Sequence, residues 1–261
     1  MALSWIAVYR AEFRFGVSEL VVSQNLLSSE QVEAFRHEEF VEDQIRHFMA
    51  LLGPAATDQS EVVDVGGGCG FFARRLQTLT GRKVRVIDTD NASVEICRRA
   101  GVEAQCGDAL RPEFTGREGV VTFNLILHHL VGRTERETRD LQRRALSAWR
   151  TRVRAAFVSE YIYDSFLADC SGWLIFQITK SPFLSRIARH AARVAPSLRA
   201  NTLGVGVRFR SRREWLRLFA SCGFEVKASA TGLEEAVSLP RRFLLIRRIR
   251  RDSFLLHPMG T

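Results

Sequence analysis

Four carboxylates, two histidines and a run of glycines are the chemistry-bearing positions of this 261-residue chain. Residues 61–70 read EVVDVGGGCG, an apolar run that holds Asp64 and closes on Gly66, Gly67, Gly68 and Gly70. Glycine has no Cβ, so the backbone of this loop can approach a ligand closely. The spacing is G-x-G-x-G; the dinucleotide fingerprint would need its third glycine where Phe71 stands. A carboxylate at Asp64 repels a pyrophosphate and suits a ligand carrying an ammonium group. Further along, Asp88 closes the apolar run KVRVID, where an acid can accept two hydrogen bonds from ribose hydroxyls. Asp90, beyond Thr89, is its rival, although a helix N-cap suits Asp90 better. Asp108 follows Gly107 and precedes Ala109, either as a ligand contact or as a turn aspartate. In FNLILHHL, Asn124 falls at a predicted strand end, and His128 and His129 offer imidazoles as general bases. Glu160 and Tyr161 are the next candidates for acid–base work.

In this order the residues resemble the motifs of the class I S-adenosylmethionine-dependent methyltransferases, over roughly residues 55–250. EVVDVGGGCG is similar to the family's first motif, Asp88 to its ribose-binding acid, Asp108 to the acid that reaches the adenine amino group, and NLILHH to the segment after strand four. The chain departs from the pattern at Gly119, where the family often has an aspartate. The resemblance implies S-adenosyl-L-methionine as cofactor, held by Asp64, Gly66, Gly67, Gly68, Gly70, Asp88, Thr89, Asp108, Ala109 and Asn124, with Asn124 near the methionine part. It implies His128, His129 and Glu160 as the catalytic set, one histidine facing the acceptor and the other packing. No metal is implied.

The elements that must position these residues follow from periodicity. An α/β fold is expected: a Rossmann-like, seven-stranded, mostly parallel sheet of order 3-2-1-4-5-7-6 with strand seven antiparallel and helices on both faces. Strands are predicted at 61–65, 83–88, 102–106, 119–123, 155–159, 224–229 and 241–249. Ser28 to Leu52, closed by Gly53-Pro54, reads as a capped amphipathic helix, and 1–54 as a helical cap ahead of a methyltransferase domain at 55–261. Arg133 to Arg154 and Ser211 to Cys222 read as helices. Residues 164–207 exceed what such a sheet needs and are expected to form a lid insertion after strand five. Their Trp173, Phe176 and Phe183 suggest an apolar or aromatic acceptor pocket; a dimer contact or additional core is the alternative.

Composition narrows the class. Hydrophobic residues make up 46% and charged residues 26%, as in a globular protein. Cys69, Cys97, Cys106, Cys170 and Cys222 are scattered, without a CxxC pair, which argues for a reducing, cytoplasmic setting and against a zinc site. Met1 to Gly16 has no long apolar core and reads as neither a signal peptide nor a membrane span. Of the 38 basic residues only Lys83, Lys180 and Lys227 are lysines, and the net charge is +9. A solvated arginine-rich surface is the simplest account, with an acidic partner, an anionic membrane surface or RNA as alternatives. O-methylation of a small acceptor is the leading expectation and nucleic acid is disfavoured. A methyltransferase on RNA or protein is the second reading, although the Asn/Asp-Pro-Pro-Tyr/Phe motif of many nitrogen methyltransferases is absent after strand four. A non-catalytic binding protein built on the cofactor fold is the third.

Overall fold

The computed structural model describes residues 40–54, 59–198, 200 and 202–260. Strands β1 (Glu61–Val65), β2 (Val84–Asp88), β3 (Glu103–Cys106), β4 (Glu118–Asn124) and β5 (Ala155–Ser165) run parallel. Strand β8 (Ile246–Pro258) lies antiparallel between β5 and β6 (Phe224–Ala230), and the two-residue β7 (Glu234–Glu235) pairs with β8. The order β3-β2-β1-β4-β5-β8-β6 is the expected one, with β8 as the seventh position and β7 as an extra short strand.

Helices cover both faces. On one side α1 (Val41–Leu52), α2 (Phe71–Thr80) and α3 (Asn91–Arg99) pack through Phe48, Phe72, Leu76 and Val94 onto Val62, Val84 and Phe157. On the other, α4 (Glu135–Ser147) and α7 (Arg212–Ser221) bring Leu141, Leu146, Trp215 and Phe219 against Val63, Val65 and Phe123. Alternate residues of β1 therefore enter different cores, and all five are buried, as a central parallel strand requires. Helix starts follow their side-chain chemistry. Asp90 caps α3 by accepting from Ser93 N–H at 3.0 Å, and Ser211 with Glu214 forms a capping box on α7.

Several expected boundaries move. Strand seven is expected at 241–249, but Leu239–Arg242 forms a short helix, α8, and the strand runs Ile246–Pro258. Pro240 starts that helical turn, and Leu245 adopts φ 60° before the strand begins. The arginines of β8 hid the strand: Arg250 is buried against Asp164 (2.7 Å) and Asp252 (2.9 Å) instead of facing water. Strand five continues to Ser165, so Glu160 and Tyr161 lie within it, paired along β8 to Ser165↔Ile246. The arginine-rich helix is shorter than 133–154, spanning Glu135–Ser147 with Thr134 as its cap. Val32 and Phe35 of the expected amino-terminal helix lie outside the described residues; from Val41 onward it is helical. The surplus after strand five holds two helices, α5 (Ser171–Lys180) and α6 (Pro182–Val194).

Candidate active site

The site sits at the carboxyl ends of β1, β2 and β4, where open parallel sheets bind ligands. Asp64 is fully buried in β1. Its Oδ1 accepts from Thr122 Oγ1 at 2.6 Å and from Asn124 Nδ2 at 3.0 Å, both on the neighbouring β4. Asp64 Oδ2 and Asn124 Oδ1 are buried and receive no hydrogen bond from the described residues. Burial pushes the Asp64 carboxyl up to about 6, against the hydrogen bonds from Thr122 and Asn124, and nearby Asp88 adds to the rise.

The glycine loop is shaped around that carboxylate. A Cβ on Gly67 would stand 2.5 Å from Asp64 Oδ2, so no side chain fits there without moving the acid. Gly68 has φ 54° and open space around its would-be Cβ, which leaves the crevice clear. Gly66 hydrogen-bonds through its N–H to Ile87 O at 2.7 Å, and Gly70 caps α2. Asp88, at the end of β2, accepts from Gly68 N–H at 2.8 Å and from Asp90 N–H at 2.9 Å, one on each oxygen. Burial raises its carboxyl, with these backbone donors opposing. Each carboxylate oxygen keeps a second lone pair for a further donor. Thr89 is exposed at the rim, and its carbonyl oxygen accepts from Cys106 Sγ at 3.7 Å. Asp108 accepts from Leu110 N–H at 2.8 Å through Oδ1, an aspartate turn that leaves Oδ2 for another partner, and Ala109 packs against the core beside it.

The second half of the site lies between β4 and β5. Leu125 turns the chain at φ 56°, and a 3-10 turn, Leu127–His129, follows. Glu160 of β5 is fully buried and accepts from Leu127 N–H at 2.7 Å; its other oxygen lies 2.6 Å from His128 Nδ1. A carboxylate that accepts at both oxygens assigns the proton to His128 Nδ1 and leaves Nε2 as the lone-pair nitrogen. The His129 ring lies against His128, tilted by 40° with centroids 4.2 Å apart. Burial, then the neighbouring His128, holds the His129 imidazole well below its ordinary value. The structure thus joins His128 with Glu160 and sets His129 against the ring of His128.

Phe209, Tyr163 and two arginines, without an evident sequence signal, complete the site beside Tyr161. Phe209 lies 5.0 Å from the His128 ring and stacks on Tyr163 at 4.2 Å, with Tyr161 edge-on to both His128 and Phe209. Two arginines hold Phe209 in place. Arg208 N–H donates to His128 O at 2.9 Å, and Arg210 O accepts from Tyr163 N–H at 3.0 Å. The Arg210 guanidinium reaches Gln142 Oε1 (2.9 and 2.7 Å) and Glu135 (2.9 Å), while Arg208 pairs with Glu135 (2.7 Å) and Glu214 (2.6 Å). Of the aromatic residues expected to line a pocket, Phe176 is fully buried, whereas Trp173 and Phe183 face outward. Thr122 could have been read as a partner of Asp64 only from the strand register; the R-F-R pattern at 208–210 resembles any solvated segment.

The sheet order and helix arrangement are the Rossmann-like fold seen in solved class I S-adenosylmethionine-dependent methyltransferases. Among solved structures the chain is similar to the MccD protein (TM-score 0.57, 12% identity, covering 85% of this chain and 96% of that one). It is also similar to the 4+2 cyclase SpnF (TM-score 0.56, 13% identity, 84% and 81%). A third likeness is to geranyl diphosphate C-methyltransferase from Streptomyces coelicolor A3(2), solved with Mg2+, geranyl diphosphate and S-adenosyl-L-homocysteine (TM-score 0.50, 13% identity, 89% and 89%). No protein-family model and no curated protein matches the sequence.

Proposed function

We propose that this protein is an S-adenosyl-L-methionine-dependent methyltransferase acting on a small apolar or aromatic acceptor, with oxygen as the accepting atom. The observation that carries the reading is the pair of buried acceptors, Asp64 Oδ2 and Asn124 Oδ1, left without donors beside an open glycine loop. Each unpaired buried acceptor costs about 1–3 kcal/mol, and an ammonium group supplies the missing donors. The carboxylate disfavours a pyrophosphate at the same place. The residues present therefore fit the cofactor. When bound, it supplies a methyl group on a sulfonium, already activated for transfer.

The protein's part is to bind, align and manage one proton. Asp64 and Asn124 would receive the ammonium end, Asp88 the ribose hydroxyls through its free lone pairs, and Asp108 the adenine amino group. Gly68 leaves room for the nucleoside. His128, with its Nδ1 proton held by Glu160, offers Nε2 to take the proton of an attacking hydroxyl. Tyr161, Tyr163 and Phe209 provide an aromatic wall beside it, which suits an apolar or planar acceptor. In this reading residues 164–207 act as a lid over the acceptor. The small-molecule acceptors of neighbours such as geranyl diphosphate C-methyltransferase support this size class.

Calorimetry with S-adenosylmethionine tests the cofactor assignment. Asp88→Ala is expected to weaken binding by roughly tenfold to a hundredfold; unchanged micromolar affinity would refute the ribose contact. Transfer of a labelled methyl group to a panel of phenols and apolar alcohols tests the rest. His128→Gln should lower kcat by about 10²–10⁴ while leaving cofactor affinity unchanged. Label that never leaves the cofactor would favour a non-catalytic protein, and tight RNA binding with steep salt dependence would favour a macromolecular acceptor.

A further inference from the structure

Helix α6 is inverted relative to an ordinary surface helix. Its large apolar side chains point away from the protein and its small ones point toward it. Ser185 and Ala192 are its buried residues, and Ser185 Oγ donates to Ile178 O (2.9 Å) and Thr179 O (3.1 Å) at the end of α5. Phe183, Ile187 and Val194, spaced four and seven apart, form one outward stripe and are 69%, 51% and 89% exposed. Arg186, Arg189 and Arg193 make a second stripe beside it. Among the described residues none of these three pairs with a carboxylate; Arg189 donates to Leu203 O and Arg193 lies beside His190. From Ser171 to Arg213 the chain contains no Asp or Glu at all.

Neighbouring tips extend this surface. The turn after α6 bonds to α8 through Ser238 Oγ to Ser197 Oγ (2.9 Å) and Arg241 Nε to Ser197 O (2.8 Å). At α8, Leu239 and Phe243 are 74% and 86% exposed. Phe166 N–H donates to Leu245 O at 2.9 Å, which brings exposed Phe166 and Leu167 to the same loop cluster. Exposed apolar residues from three segments, with arginines that meet no carboxylate on α6, are thus tied together by hydrogen bonds past the carboxyl end of β5.

We propose that α6 and these tips dock the protein on an anionic lipid surface. An apolar stripe beside a basic one satisfies both halves of such a surface, acyl boundary and headgroup charge. A second copy of the chain fits less well, because an antiparallel two-fold contact through α6 sets the arginine stripe near its own image. The helix has 13 residues, too few to cross a bilayer, and among the described residues no helix is long and apolar enough to do so. The inference stands apart from methyl transfer, because binding is read without turnover.

The test is co-sedimentation of the full-length protein with phosphatidylcholine vesicles made with and without phosphatidylglycerol, at low and high salt. Binding is expected only with phosphatidylglycerol and should fall as salt rises. Phe183→Ser with Ile187→Ser, and separately Arg186→Gln with Arg193→Gln, should each weaken partitioning by roughly tenfold while thermal melting stays unchanged. Failure to bind phosphatidylglycerol vesicles, or equal binding by wild type and both variants, would overturn the proposal. So would a wild-type dimer, seen by sedimentation velocity, that the Phe183→Ser, Ile187→Ser variant converts to monomer.

Discussion

Asp64 is a carboxylate held where its charge is costly unless a cation arrives. Its folded value of about 6 lies above its ordinary range, so the native state holds this proton more tightly than the unfolded chain. The contribution of Asp64 to the stability of the free protein should therefore be fully present below the ordinary carboxylate range and be lost as pH rises through about 6. A shift of this size corresponds to a penalty on the order of 3 kcal/mol at neutral pH. Asp64→Asn should remove much of that penalty and raise the melting temperature of the ligand-free protein at pH 7–8, read by calorimetric scans. The same change should weaken binding of S-adenosylmethionine. In the wild type, affinity should drop as pH falls below about 6, because a protonated carboxyl no longer balances an ammonium, whereas Asp64→Asn should show a flatter profile. An affinity in the wild type that ignores pH between 5 and 8 would remove Asp64 from the cationic end of the site.

At the scale of elements, the segment joining the insertion to α7 decides the shape of the acceptor side. Residues 208–210 are aligned on two sides, by His128 O and by the parallel bridge of Arg210 to Ile162, and this fixes Phe209 against His128. Gly172 makes room for this segment, since a Cβ there would meet the Phe209 carbonyl. Arg210 is nearly fully buried, and its planar fork serves Gln142 and Glu135 together. Lysine cannot reproduce that fork. Arg210→Lys keeps the charge but leaves buried acceptors short of donors, and should lower unfolding stability by about 1–3 kcal/mol. In urea titrations the midpoint should fall. The surviving fold should show weaker acceptor use than cofactor use, because Phe209 and not the glycine loop is released. An unchanged midpoint would place the buried fork among the neutral contacts.

For the whole molecule, the candidate site and a buried ion-pair cluster occupy opposite ends of the parallel strands. At the amino end, Arg85 on β2 pairs with Glu61 at the start of β1 (2.6 Å) and Glu118 at the start of β4 (2.9 Å), all three side chains buried. Burial opposes the charge on Glu118, but donors from Thr115 and Gly116 outweigh it and hold that carboxyl below its usual range. Arg85→Met removes the buried cation between two carboxylates, leaving Glu61 with Arg117 (3.2 Å) and Glu118 with its loop donors, and should cost about 3–5 kcal/mol of stability. Because the cofactor crevice lies at the other end of the strands, affinity for S-adenosylmethionine should be preserved under native conditions. Loss of affinity without loss of stability would contradict this separation.

Local chemistry made much of this legible from the sequence. The apolar run, acid and glycines of 61–70, Asp90 and Ser211 as caps, and the alternation of strands with amphipathic helices are set by backbone sterics and nearby hydrogen bonds, which act over a few residues. The strand order followed from the resemblance those motifs carry. What the tertiary structure alone decided involves partners far apart in the chain. Thr122 serves Asp64 because two strands share a register, and His128 meets Glu160 because β5 continues past the predicted end along β8. Arg250 of β8 is buried, against the usual exposure of arginine, because Asp164 and Asp252 wait for it. The outward face of α6 likewise could not be read from periodicity, which shows that a helix is two-sided but not which side the rest of the protein covers.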